Sequence, residues 1–165
     1  MQLKFRIILN VEEDVLRDII TDSNITLIEF SKIISSEFGF DSSEISTFHH
    51  SNENWEQLDE IKIFKIDEED KIMDNTPISN FFISKGDKLI FIYDFLNYWT
   101  FFIELYDFDE SIEMDKKHEC LNSIGDVPKI SPSDIFNTNN DELIDDDQID
   151  YDDNLVDYDD NQIDS

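Results

Sequence analysis

The chain has 165 residues, with 41 acids against 12 bases and a formal net charge of −29. That length suits one ordinary domain rather than two with a linker, and that charge repels phosphate backbones and anionic membranes. Hydrophobic residues make up 39% and Phe occurs 14 times, too apolar for a wholly disordered polyanion, so a folded body and a solvated acidic part are expected.

Leu3, Phe5, Ile7 and Leu9 recur at every second position, the period of a half-buried strand. Residues 15–21 predict a second strand. Thr26 followed by Glu29 fits a capping box. Leu27, Phe30, Ile34 and Phe38, with Ile33 beside them, form one apolar stripe, and Gly39 supplies a stop, so a helix is expected over 26–38. Residues 45–50 and 61–66 predict further strands. Thr76-Pro77 has the form of an N-cap and first helical residue, predicting a short helix over 77–83. Lys85-Gly86-Asp87 is a turn. Residues 89–95 are apolar on both faces except Asp94, which predicts a central strand, and 98–106 is its hairpin partner. The order is that of an α+β domain: a mixed or mostly antiparallel sheet packed by one main helix, β-grasp-like in its strand, strand, helix, strand succession.

The folded domain is expected over 1–136 and a disordered acidic tail over 137–165. Pro128 and Pro132 fall in a breaker-rich stretch, 123–133. Residues 141–165 hold twelve acids and no base, leaving 29 acids against 12 bases, a net −17, in residues 1–140. Like charges at that density oppose packing, and the few apolar residues there do not offset chain entropy. Tyr151-Asp152-Asp153-Asn154 recurs seven residues on as Tyr158-Asp159-Asp160-Asn161, with Leu143, Ile144, Ile149, Leu155, Val156 and Ile163 interspersed. The tail reads as a solubilising segment, or as an acidic–hydrophobic linear motif that folds on a basic, apolar partner.

The first six residues alternate apolar with charged and do not form the apolar block of a signal peptide. The most apolar window, 89–103, is interrupted by Asp94 and Asn97 and is too short to span a bilayer. The single cysteine, Cys120, has no internal partner. A reducing cytoplasm is therefore expected, away from any membrane.

Gly39, Gly86 and Gly125 stand alone, so phosphate-cradling and dinucleotide fingerprints are missing. His49 and His50 are adjacent and point to opposite faces of a strand. His118-Glu119-Cys120 lacks the paired spacing of structural zinc, and the tail aspartates lack the glycine of an EF-hand turn. Neither a metal nor a cofactor is expected. Cys120 lies near His118, but no third group in the sequence orients that pair. Asp94 within an apolar run is the most interesting carboxylate: facing a core, it would have a raised pKa, and the alternative is an edge-facing or hydrogen-bonded structural Asp. The aromatics Tyr93, Phe95, Tyr98, Trp99, Phe101 and Phe102 are mostly core material, with Tyr98 and Trp99, at the predicted turn, the candidates for exposure. The candidate binding residues are thus Asp94, Tyr98, Trp99 and Cys120, with no catalytic set.

Tyr93-Asp94-Phe95, a short turn, Trp99 and then Ile103-Glu104-Leu105 resemble the signature of the plasmid pRi-type open-reading-frame-three-like family, whose members also circulate as insertion-element passenger TnpR proteins. Leu3-Lys4-Phe5-Arg6-Ile7 is similar to its first strand and Leu16-Arg17-Asp18-Ile19 to its second. Thr26-Leu27 through Phe38-Gly39-Phe40, then Phe48, resembles its helix and next strand, and Cys120-Leu121 with Gly125 and Pro128 its Cys/Gly/Pro segment. The pieces cover about residues 3–128. Where the family has Gly-Asp in the turn, this chain has Leu96-Asn97; its His after the Trp is Phe101 here, and its His-x-His pair is Glu44 and Ser46. The resemblance implies an α+β fold and no particular activity.

Two arginines, Arg6 and Arg17, and the net charge argue against recombination chemistry and against direct nucleic-acid binding. The reading that remains foremost is a non-catalytic protein-binding or adaptor domain whose acidic tail meets a protein partner of basic character. The alternatives are a polyanion mimic that occupies a basic nucleic-acid-binding surface, and a small enzyme with a pocket around Asp94, Trp99 and His118.

Overall fold

The computed structural model describes residues 1–62 and 75–141, with side chains up to 137. Strand β1 (Gln2–Leu9) buries Leu3, Phe5, Ile7 and Leu9 and turns Arg6 and Ile8 to solvent. Strand β2 (Leu16–Asp22) pairs with it antiparallel, Phe5 opposite Ile19. Helix α1 (Leu27–Glu37) starts at a formed capping box. The Glu29 amide donates to Thr26 Oγ1 at 3.2 Å, and the Thr26 amide donates to Glu29 Oε2 at 3.0 Å. Two helix-end donors are thereby satisfied, which stabilises the start by about 1 kcal/mol. Gly39, at φ 78°, ends it. Its amide donates to Ser36 O, and that of Phe40 to Ser35 O, as a left-handed helix stop requires.

Strands β3 (Ser46–Ser51), β4 (Gln57–Ile61), β5 (Lys88–Tyr93), β6 (Trp99–Asp109) and β7 (His118–Ile124) complete one sheet, and a second helix, α2 (Pro132–Asp141), follows. The sheet order is β4-β3-β5-β6-β1-β2-β7, and every neighbouring pair is antiparallel. This is an α+β domain, with α1 contributing its apolar stripe to the core. Phe30 lies 4.8 Å from Phe5 and 6.3 Å from Phe48, ring centre to ring centre, and Phe38 lies 4.9 Å from Phe101. Each such ring, fully buried, contributes about 1.5–3 kcal/mol.

Several elements differ from expectation. The strand expected at 61–66 is β4, ending at Ile61, and 63–74 lie outside the described residues. Its first four residues are exposed, so they carry no apolar alternation. The helix expected over 77–83 is one short turn, Ile78–Asn80. Pro77 stays extended and bridges to Thr26, the Ile78 amide donates to Ile25 O, and Phe81 and Phe82 turn into the core. Strand β5 ends at Tyr93, one residue before Asp94. Strand β7 is a solvated edge, bulged where Asp18 pairs with Asn122 but Ile19 with Cys120. Helix α2 runs across 136–137, where the sequence reading ends the folded body. The acidic stretch 142–165, expected to be disordered, lies outside the described residues. Among the described residues, no helix is long and apolar enough to cross a membrane.

Candidate functional site

The connection from β5 to β6 is built on Asp94. Its carboxylate accepts from the amides of Leu96, at 3.0 Å, and Asn97, and from the Asn97 side-chain amide. Its carbonyl accepts from the Tyr98 amide at 2.6 Å. Asp94 and Tyr98 both take left-handed backbone, at φ 56° and 58°. Asp94 is therefore a turn residue rather than a strand carboxylate facing the core. The Asn97 bond, with the two main-chain amides, outweighs burial and holds its carboxyl below the usual range, because donors aimed at a carboxylate favour the charged form. Of the two readings of Asp94, the hydrogen-bonded structural aspartate is the one seen, and the raised pKa of a core-facing carboxylate is not.

The same turn sorts its aromatics. Tyr98 is 48% exposed and Leu96 86%, while Trp99 is 6% exposed, its ring 5.1 Å from that of Phe40. Trp99 is core, contrary to the expectation that it would be accessible. It shares a strand face with Phe101 and Ile103, and period two sends all three inward.

Helix α2 brings a second apolar surface to this turn. Ser131 accepts from the Asp134 amide through its Oγ and donates to Asp134 Oδ2 at 2.7 Å, while Pro132 takes the first helical position. That is the N-terminal chemistry of a well-started helix. A cavity of about 440 Å³ lies between Asn10, Tyr98, Thr100, Pro132 and Phe136. Another of about 380 Å³ lies between Val11, Glu12, Glu13, Pro128, Ile130 and Ile135. Both are bordered by Asn10 and Pro132, so they form one trough around the start of α2. Phe136 is 75% exposed, and Phe95, Ile130 and Ile135 are also open to solvent.

Cys120 lies elsewhere, on β7, with β1 and β2 between it and β6. The register sets His118 opposite Thr21 and Cys120 opposite Ile19. His118 Nε2 sits 3.0 Å from Glu37 Oε1, and Cys120 Sγ donates to Asn122 O at 3.4 Å. Burial first, and Glu37 second, push the Cys120 thiol above its ordinary value, so it stays protonated and is not an activated nucleophile. Glu37 is the third group the sequence did not show, 81 residues from His118. It raises the thiol's pKa instead of activating it.

The four candidates therefore do not converge. Asp94, Tyr98 and Trp99 share one turn, of which Tyr98 faces the trough, and strands β1 and β2 lie between Trp99 on β6 and His118 on β7, so these residues form no common pocket with Asp94. Sequence reading missed Ile130, Ile135, Phe136, Glu12 and Glu13. The signal that could have found α2 is Ser131-Pro132-Ser133-Asp134 directly before Ile135-Phe136. Among the described residues, no three His, Cys, Asp or Glu side chains are placed to hold a metal ion.

The plasmid pRiA4b ORF-3-like protein family matches residues 1–159. The chain belongs to that family. The pRiA4b ORF-3-like match takes in α2, the trough and most of the acidic stretch. One crystal structure, that of the protein of unknown function MM3350 from Methanosarcina mazei Go1, is similar with a TM-score of 0.57 and 18% sequence identity, over 74% of this chain and 68% of that one. That likeness concerns the fold alone. Comparison with curated proteins finds no significant match.

Proposed function

We propose that this pRiA4b ORF-3-like chain is a non-catalytic protein-binding or adaptor domain, its acidic C-terminal sequence directed at a partner of basic character. The supporting observation is the trough around α2, where Tyr98, Ile130, Ile135 and Phe136 join an apolar surface left open to solvent. Contiguous apolar patches of this kind mark interaction sites, and rigid aromatic rings supply contact area at little entropic cost. Affinity capture from a native lysate tests the reading. The full-length protein is compared at about 50 and about 500 mM NaCl with a full-length form whose acids after 141 are replaced by Asn and Gln. A defined basic partner, held less well by the neutralised form, is the expected result. Capture of no partner at either salt concentration overturns the reading.

The net charge of −29 favours a second reading, a polyanion mimic seated on a basic nucleic-acid-binding surface. Its binding weakens steeply with salt, so a partner retained undiminished at high salt removes it.

A further inference from the structure

We infer that the trough around α2 takes a cationic amphipathic segment of the partner, apolar on one face and carrying Lys or Arg on the other. The inference rests on the protein-binding reading and adds the site and the chemistry of its occupant. The trough is apolar where Tyr98, Pro132, Phe136, Ile130 and Ile135 line it. Its rim is anionic: Glu12 and Glu13 line the second cavity, with Lys129 the one cation among its lining residues. Asp134 lies exposed on α2 itself. Eleven acids and no base follow in the sequence over 142–165, covalently joined to the C-terminal end of the helix that forms the trough. Charge selects among occupants. A second copy of this chain would bring another −29 to the same rim, and the chain's own acidic sequence would set its acids against Glu12 and Glu13; like charges brought together cost affinity. A cationic amphipathic segment meets both the apolar floor and the acidic rim, in the manner of a helix laid in a groove.

The test uses the full-length chain and a fluorescein-labelled synthetic helix of about four turns, Leu on one face and Lys on the other, read by anisotropy. A Leu/Glu peptide and a Ser/Lys peptide of equal length are the controls. The Leu/Lys peptide is expected to bind, the Leu/Glu peptide not, and the Ser/Lys peptide more weakly than Leu/Lys. Ile130→Ser with Phe136→Ser lowers the Leu/Lys affinity about tenfold or more. Glu12→Gln with Glu13→Gln lowers it at low salt and flattens its salt dependence. All four side chains lie at the surface, and unchanged thermal melts confirm the fold of each variant. Equal affinity for wild type and both double variants overturns the trough as the site while leaving a basic partner in place, and so does equal binding of the Ser/Lys and Leu/Lys peptides. Failure of the Leu/Lys peptide to bind wild type also overturns the inference, and the lysate capture then decides the adaptor reading separately.

Discussion

Arg17 donates to the main-chain carbonyl of Glu37 at 3.1 Å, tying the C-terminal end of α1 to the second strand of the sheet. The guanidinium is buried, lies 4.8 Å above the Phe38 ring, and also donates to the carbonyls of Leu16, Ile124 and Gly125. It joins helix, strand β2 and the end of β7. A cation at a helix C-terminus also opposes the negative end of the dipole. Arg17→Met is expected to cost about 3 kcal/mol by leaving buried carbonyls without donors. Arg17→Lys should rescue little, because one ammonium cannot reproduce the planar fork. Urea unfolding midpoints check both; a Lys variant as stable as wild type would show that the fork is dispensable.

Gly125 closes against the loop between β1 and β2. A Cβ there would lie 2.1 Å from the Asp14 carbonyl oxygen, and the residue has φ 73°. Gly39 has φ 78° with open space around it. Gly39→Ala therefore meets only the backbone penalty of about 1 kcal/mol, whereas Gly125→Ala must also displace main chain and should cost more, up to about 3 kcal/mol. Thermal melts of the two variants, measured side by side, should keep that order.

Lys85 and Lys4 converge on Asp107, at 2.6 and 3.0 Å, and hold its carboxyl at about 2. A depressed folded-state value means that the stabilisation is present above the unfolded value of about 4 and is lost as pH falls through about 2. Asp107→Asn should thus be less stable than wild type at neutral pH, and the difference should shrink as the pH drops below about 4. Both ion pairs are reached by solvent, so added salt narrows the difference too. Denaturant titrations over that range would contradict the assignment if the difference did not change with pH.

Burial and Glu37 keep the Cys120 thiol protonated beyond its ordinary range. Alkylation by iodoacetamide near neutral pH should be slower than for a free cysteine peptide. Glu37→Gln removes the nearby negative charge and should shift the rate profile to lower pH. An unshifted profile would assign the slow reaction to burial alone.

Trp99 and Tyr98 are neighbours with opposite fates, one packed on Phe40 and the other facing the trough. Trp99→Ala should cost about 3–5 kcal/mol of stability. Tyr98→Ala should change stability by about 0.5 kcal/mol or less, and its effect should appear in partner binding. Comparable losses of stability for both would place Tyr98 in the core as well.

Local pattern was enough for β1, for α1 with its Thr26–Glu29 box, and for the turn at Gly86, because the side chains that decide each of these lie within a few residues of one another. The two edge strands were harder. The Gln57-Leu58-Asp59-Glu60 run of β4 and the bulged β7 are solvated, and a strand held by pairing with one neighbour need not show apolar alternation. The start of α2 was written in Ser131 and Pro132, but the breakers of 123–133 masked it, and acidic composition set the expected end of the folded body at 136, inside the helix.

The α+β class, the family resemblance and the acidic balance follow from periodicity, residue order and the count of charges, which need no knowledge of distant contacts. The burial of Trp99 against Phe40, the place of Glu37 beside His118 and Cys120, and the meeting of α2 with Tyr98 across a trough came with the assembled sheet alone. Each of those depends on residues far apart in the chain being brought together by sheet order and register, and no local period encodes such a meeting.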